Sequence, residues 1–188
     1  MKLRLALVVT VGVALALAAT APAHNPKPGA PPCAKTYPWR SKVTSIKPAV
    51  PELNAFVLFC DDKLLLQSTS AKTVVVLGYE GEQYLKLQPG GVWGNALSPT
   101  MYLNQSREDV APPASANARA KPRWIKMADS RLYAWHDHRI HWMLPTKPAV
   151  VKKDPAHPHR VFDWQVPLLF GGKRVVIHGA LFYKPPPR

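Results

Sequence analysis

The sequence predicts an all-β protein, an immunoglobulin-like antiparallel sandwich, and three observations carry that reading. Runs of β-branched, aromatic and leucine residues are short and separated by turn residues. Sustained helical periodicity is nearly absent. The last two runs, Val161 to Phe170 and Lys173 to Tyr183, face each other across Gly171-Gly172, a dipeptide suited to a primed hairpin turn. The sandwich comprises either the whole chain, or its first half with a smaller β unit appended. One compact body is favoured, because a half of about 60 residues would be marginal alone.

The chain opens with Lys2 and Arg4, an apolar run from Leu5 to Ala19, and the small-x-small triplet Ala21-Pro22-Ala23. That is the layout of a secretory signal peptide over 1–23. The run falls short of the about 20 residues a spanning helix needs. The mature chain is therefore expected to carry no transmembrane helix and to be secreted or extracytoplasmic, in the cell envelope. Cleavage would make His24 the N-terminus, offering an amine and an imidazole to one ion. The plainer reading is that His24 begins an extended proline-rich arm over 24–39.

A β-sandwich domain is expected over 40–184. Lys42 to Ile46 alternates weakly and stops before Pro48. Asn54 to Cys60 is apolar and aromatic, and Asp61-Asp62 turns it into Leu64-Leu65-Leu66, a hairpin. Thr73 to Leu77 is β-branched and reads as a buried strand. Glu80-Gly81 then leads to the alternating Tyr84 to Leu87, with Glu80 and Glu82 read as solvated turn residues. Pro89-Gly90-Gly91 leads to Val92-Trp93. Residues 106–122, rich in Ala, Pro and charge, read as a long loop after a formal glycosylation triplet, Asn104-Gln105-Ser106. Trp124 to Met127 and Arg131 to Trp135 read as strands, and 145–159 as a second long loop. On the final strand Val175, Ile177, Leu181 and Tyr183 share one face, while Val176, Ala180 and Phe182 share the other with His178. Two apolar faces place that strand inside a sheet. Residues 185–188 form a tail.

Only Cys33 and Cys60 are available for pairing. In an oxidising compartment a lone pair forms one disulfide, contributing about 3 kcal/mol for a loop of this size. No C-x-x-C redox centre exists. The formal charge is +14, or about +12 once the signal peptide is removed. Such a balance favours anionic surroundings, so an anionic cell-envelope surface or a protein partner is a possible target. The lysines are scattered and no nucleic-acid-binding signature is present, so nucleic acid is not expected.

The chemistry concentrates in Trp135-His136-Asp137-His138-Arg139-Ile140-His141-Trp142-Met143. Imidazole is the commonest transition-metal ligand. In an extended strand His136 and His138 would project from one face, and His141 would join them only if the backbone turns near Arg139. Met143 is an outer candidate for a soft ion. Asp137 could orient an imidazole or pair with Arg139, and His157, His159 and His178 are further candidates. Three readings compete: a copper or zinc site through His136, His138 and His141; histidines stacked structurally in a β core; and acid–base catalysis by a His–Asp pair. No Ser or Cys nucleophile sits in a recognised motif, so no catalytic residue and no enzyme class are assigned.

Two resemblances add to this. Tyr133-Ala134-Trp135-His136-Asp137-His138 looks locally like the aromatic-His-x-His segments of multicopper oxidases and other cupredoxins. Those proteins also need a Cys-His segment that neither cysteine here provides, so no blue-copper or oxidase activity is carried over. More broadly, Val75 to Leu85 (VVLGYEGEQYL), Ser98-Pro99-x-x-Tyr102-Leu103-Asn104 and the histidine run resemble a group of uncharacterised exported bacterial β-rich proteins. Trp164-x-Val166-Pro167-Leu168 and Gly171-Gly172 fit the same pattern. The resemblance implies an extracytoplasmic β-rich protein without implying an activity. Members of that group often continue into a C-terminal membrane anchor, which the residues up to Arg188 do not include.

Overall fold

The computed structural model describes residues 33–34, 36–105, 107–108 and 110–187. The expected signal peptide, His24 and most of the expected proline-rich arm lie outside the described residues.

Among the described residues, ten strands form an antiparallel β-sandwich. The first six are β1 (Trp39–Lys47), β2 (Leu53–Leu58), β3 (Lys63–Ser68), β4 (Val74–Leu77), β5 (Gln83–Gln88) and β6 (Gly91–Asn95). A short helix α1 (Pro99–Leu103) precedes β7 (Trp124–Ala128) and β8 (Leu132–His136). A second short helix α2 (Ala149–Lys153) precedes β9 (His159–Phe170) and β10 (Lys173–Tyr183). One sheet has seven strands in the order β1-β10-β9-β4-β5-β6-β7, and the other has three in the order β2-β3-β8. Each sheet draws strands from both halves of the sequence. The split is more lopsided than the four and three strands of an immunoglobulin constant domain.

The closing hairpin is the longest pairing. Gly171 and Gly172 have φ of 55° and 81°, the two positive values that a primed two-residue turn requires. They set Phe170 opposite Lys173 and carry the register on to Tyr183 opposite His159. On β10, Val175, Ile177, Leu181 and Tyr183 are buried, whereas Val176, His178 and Phe182 on the other face are half-buried. β10 has neighbours on both sides, β1 and β9, as two apolar faces imply, although one face still meets solvent.

The core lies between the sheets. Leu64 and Leu66 of β3 and Tyr133 and Trp135 of β8 meet Val74, Val76, Leu85, Leu87, Val166, Leu168 and Ile177 of the larger sheet. Tyr84 packs edge-on to Trp135 with ring centroids 6.4 Å apart. The period-two pattern is visible in these strands because one face of each sheet must exclude water.

Two local readings are corrected. Asn104 is buried, and its side-chain oxygen accepts a hydrogen bond from the Tyr79 hydroxyl. The formal glycosylation triplet therefore offers no accessible amide. Glu82 is also buried and does not solvate a turn. Its Oε1 accepts from the Ser98 hydroxyl at 2.6 Å and the Thr100 hydroxyl at 2.7 Å. Burial pushes its carboxyl up, but these hydrogen bonds outweigh that and hold it below the usual range.

Candidate metal centre

The histidine corner sits at one end of the three-stranded sheet. β8 delivers His136 by pairing with β3, which places His136 opposite Lys63. The strand then stops. Asp137 is still extended, with φ −141° and ψ 115°, and its side chain accepts the backbone N–H of Arg139. That cap starts a single 3₁₀ turn over His138–Ile140. Ile140 is fully buried and anchors the turn in the core. The chain leaves it extended at His141, with φ −133°.

This geometry brings the three imidazoles together. One potential ligand nitrogen from each of His136, His138 and His141 lies within 4.8 Å of the others. Ring centroids are 4.7 Å apart for His136 and His141, 5.2 Å for His136 and His138, and 5.4 Å for His138 and His141. His136 and His138 do not share a strand face, contrary to the extended reading, because the strand ends at His136. The turn at Arg139 meets the condition under which His141 joins. His136 and His141 are buried and His138 is half-exposed, so the cluster reaches solvent on one side.

A polar frame surrounds it. Asp62, in the turn between β2 and β3, places Oδ1 2.8 Å from His136 Nδ1. A neutral His136 that donates Nδ1–H there would present its Nε2 lone pair to the cluster. That Nε2 lies 2.9 Å from Nε2 of His141. Two nitrogens on one ion at zinc bond lengths would stand roughly 3.3 Å apart. An ion would therefore replace this hydrogen bond with a small parting of the rings. His141 Nδ1 is buried without a well-formed hydrogen bond. Burial, then the nearby Arg107 charge, push the His141 pKa down to about 3. The ring is neutral at neutral pH, the state in which imidazole ligates.

Asp137 fixes the turn itself and does not orient an imidazole. It is fully buried and accepts from Trp135 Nε1 at 2.8 Å, Arg139 Nε at 2.8 Å and Arg139 Nη2 at 2.7 Å. Burial raises its carboxyl, but the Arg139 charge and hydrogen bonds win and hold it below the carboxylate range. Arg139 also donates to the Leu77 carbonyl at 3.1 Å and lies over the Tyr79 ring. The Tyr79 hydroxyl in turn accepts the His138 N–H at 2.9 Å. Tyr79 is thus neither simple surface nor simple core: it ties the β4–β5 turn to the histidine turn.

Arg107 spans two acids. It donates to both oxygens of buried Asp61 at 3.2 Å and lies 3.7 Å from Asp62 Oδ1. Tyr37 also donates to Asp61, at 2.9 Å. Asp62, Arg107 and Tyr79 were missed as site residues in the sequence. Asp61-Asp62 carried only a turn signal there.

The other histidines lie elsewhere. His157 is exposed and pairs with Asp154, His159 stacks on Tyr183, and His178 lies on the outer face of β10. Met143 is half-buried two residues beyond His141. Trp135 belongs to the core, while Trp142 stacks on Trp39 at 6.5 Å and donates Nε1 to the Thr146 carbonyl at 2.7 Å.

Cys33 and Cys60 form a disulfide with their Cα atoms 5.3 Å apart. Among the described residues, no helix is long and apolar enough to cross a membrane. The chain matches no protein-family model, no curated protein and no solved structure.

Proposed function

We propose that this is an exported protein that binds one transition-metal ion outside the membrane through His136, His138 and His141. The observation that carries the reading is the convergence of three imidazole nitrogens within 4.8 Å. Three imidazole ligands of this kind suit copper or zinc. Copper is the favoured ion, since divalent copper outcompetes zinc at nitrogen sites of equal geometry. Asp62 behind His136 is the carboxylate–histidine arrangement that orients a ligand ring. The disulfide is compatible with an oxidising compartment, and the signal-like N-terminus and the exported bacterial likeness point the same way.

The test is the metal content of mature protein purified from an exporting host without a histidine tag, beside a His136→Ala/His138→Ala variant. Near-stoichiometric copper or zinc in the parent, lost in a folded variant, is the expected result. Metal-free parent protein that also ignores copper and zinc titrations would reject the reading.

A second reading has its own observation. On the outer face of the larger sheet, directly paired residues form a row: Arg174, Leu169, Val75, Lys86, Trp93 and Lys126. Lys86 lies over the Trp124 ring at 4.4 Å and over Trp93 at 5.8 Å. This basic, aromatic surface would suit an anionic cell-envelope polymer, leaving the histidines structural. Salt-sensitive binding to such a polymer, lost in Lys86→Glu/Lys126→Glu with no metal bound, would favour it.

A further inference from the structure

The turn between β2 and β3 carries three consecutive residues with separate duties. Cys60 forms the disulfide, Asp61 receives Arg107 and Tyr37, and Asp62 holds His136. Its backbone is unusual. Phe59 and Cys60 have φ of 52° and 73°, a left-handed conformation that residues with side chains adopt at a cost. Such a conformation persists only where surrounding contacts over-determine it.

Those contacts come largely from one segment. Cys33 bonds to Cys60, Tyr37 donates to Asp61, and Ser41 donates its N–H to the Cys60 carbonyl at 2.8 Å. Breaking the disulfide removes the covalent tie between that segment and the turn, and Ala34 is then held only within its own segment, by Tyr37 N–H and Arg40 Nη2. Asp61 would keep its two bonds to Arg107, and the strand pairing and apolar core keep the sandwich assembled. Asp62 has less to hold it: Arg107 at 3.7 Å, and a side chain 30% exposed.

We propose that the Cys33–Cys60 disulfide sets the metal affinity of the three-histidine site by holding Asp62 against His136, so that reduction weakens metal binding. This rests on the metal reading above. A dithiol reductant would perform the step. Its two sulfurs join in a new S–S bond, the Cys33–Cys60 bond breaks, and two electrons and two protons pass to the two cysteines. Both cysteines are half-buried, within reach of a small thiol. Losing an outer carboxylate partner costs a histidine-bound metal about 10- to 100-fold in affinity. Asp62 is thus a positioning residue, and the disulfide is its lock.

The experiment uses zinc, which does not itself oxidise thiols, competed against a chromophoric chelator. Four mature proteins are compared: wild type, Asp62→Asn, Cys33→Ser/Cys60→Ser, and the triple combination. The serine pair also removes the free thiols that would otherwise capture zinc. Wild type is expected to bind most tightly, Asp62→Asn and the serine pair each at least about tenfold more weakly. The triple variant should be no weaker than either, because both changes remove one interaction. Wild-type affinity in the serine pair overturns the coupling. An additive loss in the triple variant overturns the route through Asp62. A wild type that takes no zinc or copper rejects the metal site and the coupling together.

If the serine pair loses its near-UV circular dichroism, the intact protein decides. Zinc loading should slow reduction of the disulfide by a phosphine in wild type and leave the rate unchanged in Asp62→Asn. Equal rates with and without zinc in wild type overturn the proposal.

Discussion

The closing hairpin and the histidine corner are held by different physics. β9 and β10 pair over their length and bury an alternating apolar face, so each residue contributes a modest and replaceable share. The corner is small and polar. Asp137 receives Trp135 and Arg139, Asp62 receives His136, and Tyr79 joins the His138 N–H to Asn104. Apolar packing tolerates volume-conserving exchange. A buried polar network does not, because removing one member leaves its partners desolvated and unpaired. The hairpin should therefore fail gradually and the corner abruptly.

The sharpest way to break that contrast is Asp137→Ala. It leaves the half-buried Arg139 guanidinium without its counter-charge and Trp135 Nε1 without its acceptor, and the expected cost is about 4 kcal/mol in urea unfolding. A loss under 1 kcal/mol would mean that water reaches the corner and that the two regions do not differ as argued. On the hairpin side, Ile177→Ala should cost about 3 kcal/mol through the cavity it creates. Metal per folded molecule, read after gel filtration, should stay at the parental value.

Glu82 offers an intermediate case, a buried carboxylate outside the histidine corner. Glu82→Gln should cost about 2 kcal/mol at neutral pH, the scale of hydrogen bonds to a charged group. The sign with pH follows from its lowered folded pKa. Stability from Glu82 is complete above the ordinary value of 4.5 and is lost as pH falls through the lower folded value. The variant's thermal midpoint should fall less steeply over that acid range than the parent's. Parallel acid limbs would refute the assignment.

The smallest expected effect on stability is at His136→Ala/His138→Ala, about 1.5 kcal/mol: neither ring fills the apolar core, but losing buried His136 leaves Asp62 and His141 without a partner. The same variant should lose all of its metal. Unfolding of this variant would make the histidines structural and erase the distinction between frame and ligand.

The hairpin was legible because its information is local. Period-two alternation and Gly171-Gly172 suffice to define it, and the sheet follows from solvent exclusion. The corner was legible only as a concentration of imidazoles. Parity reasoning put His136 and His138 on one strand face, but Asp137 caps a turn there, and a single Asp in an alternating run carries no such signal. Asp62 lies 74 residues from His136, and Tyr79 lies 59 from His138. No local pattern encodes pairs that only the folded sandwich brings together. Glu82 misled for a related reason: beside Gly81 it reads as a turn residue, and its Ser98 and Thr100 partners come from the start of α1.

The four lateral margins of the two sheets are not equally defended against joining a neighbouring molecule. β1 carries Lys42 and Lys47 and a bulge between Val43 and Ser45, and β7 carries Lys126. Such charges and irregularities discourage strand-to-strand association. β2, one of the two margins of the smaller sheet, reads Leu-Asn-Ala-Phe-Val-Leu, with no charge or proline, and Phe56 stands 56% exposed. The main restraint on aggregation through that strand is the protein's overall positive charge, which acts at a distance and is screened by salt. Concentrated preparations should therefore keep best at low ionic strength, and a single lysine at position 56 should remove most of that dependence.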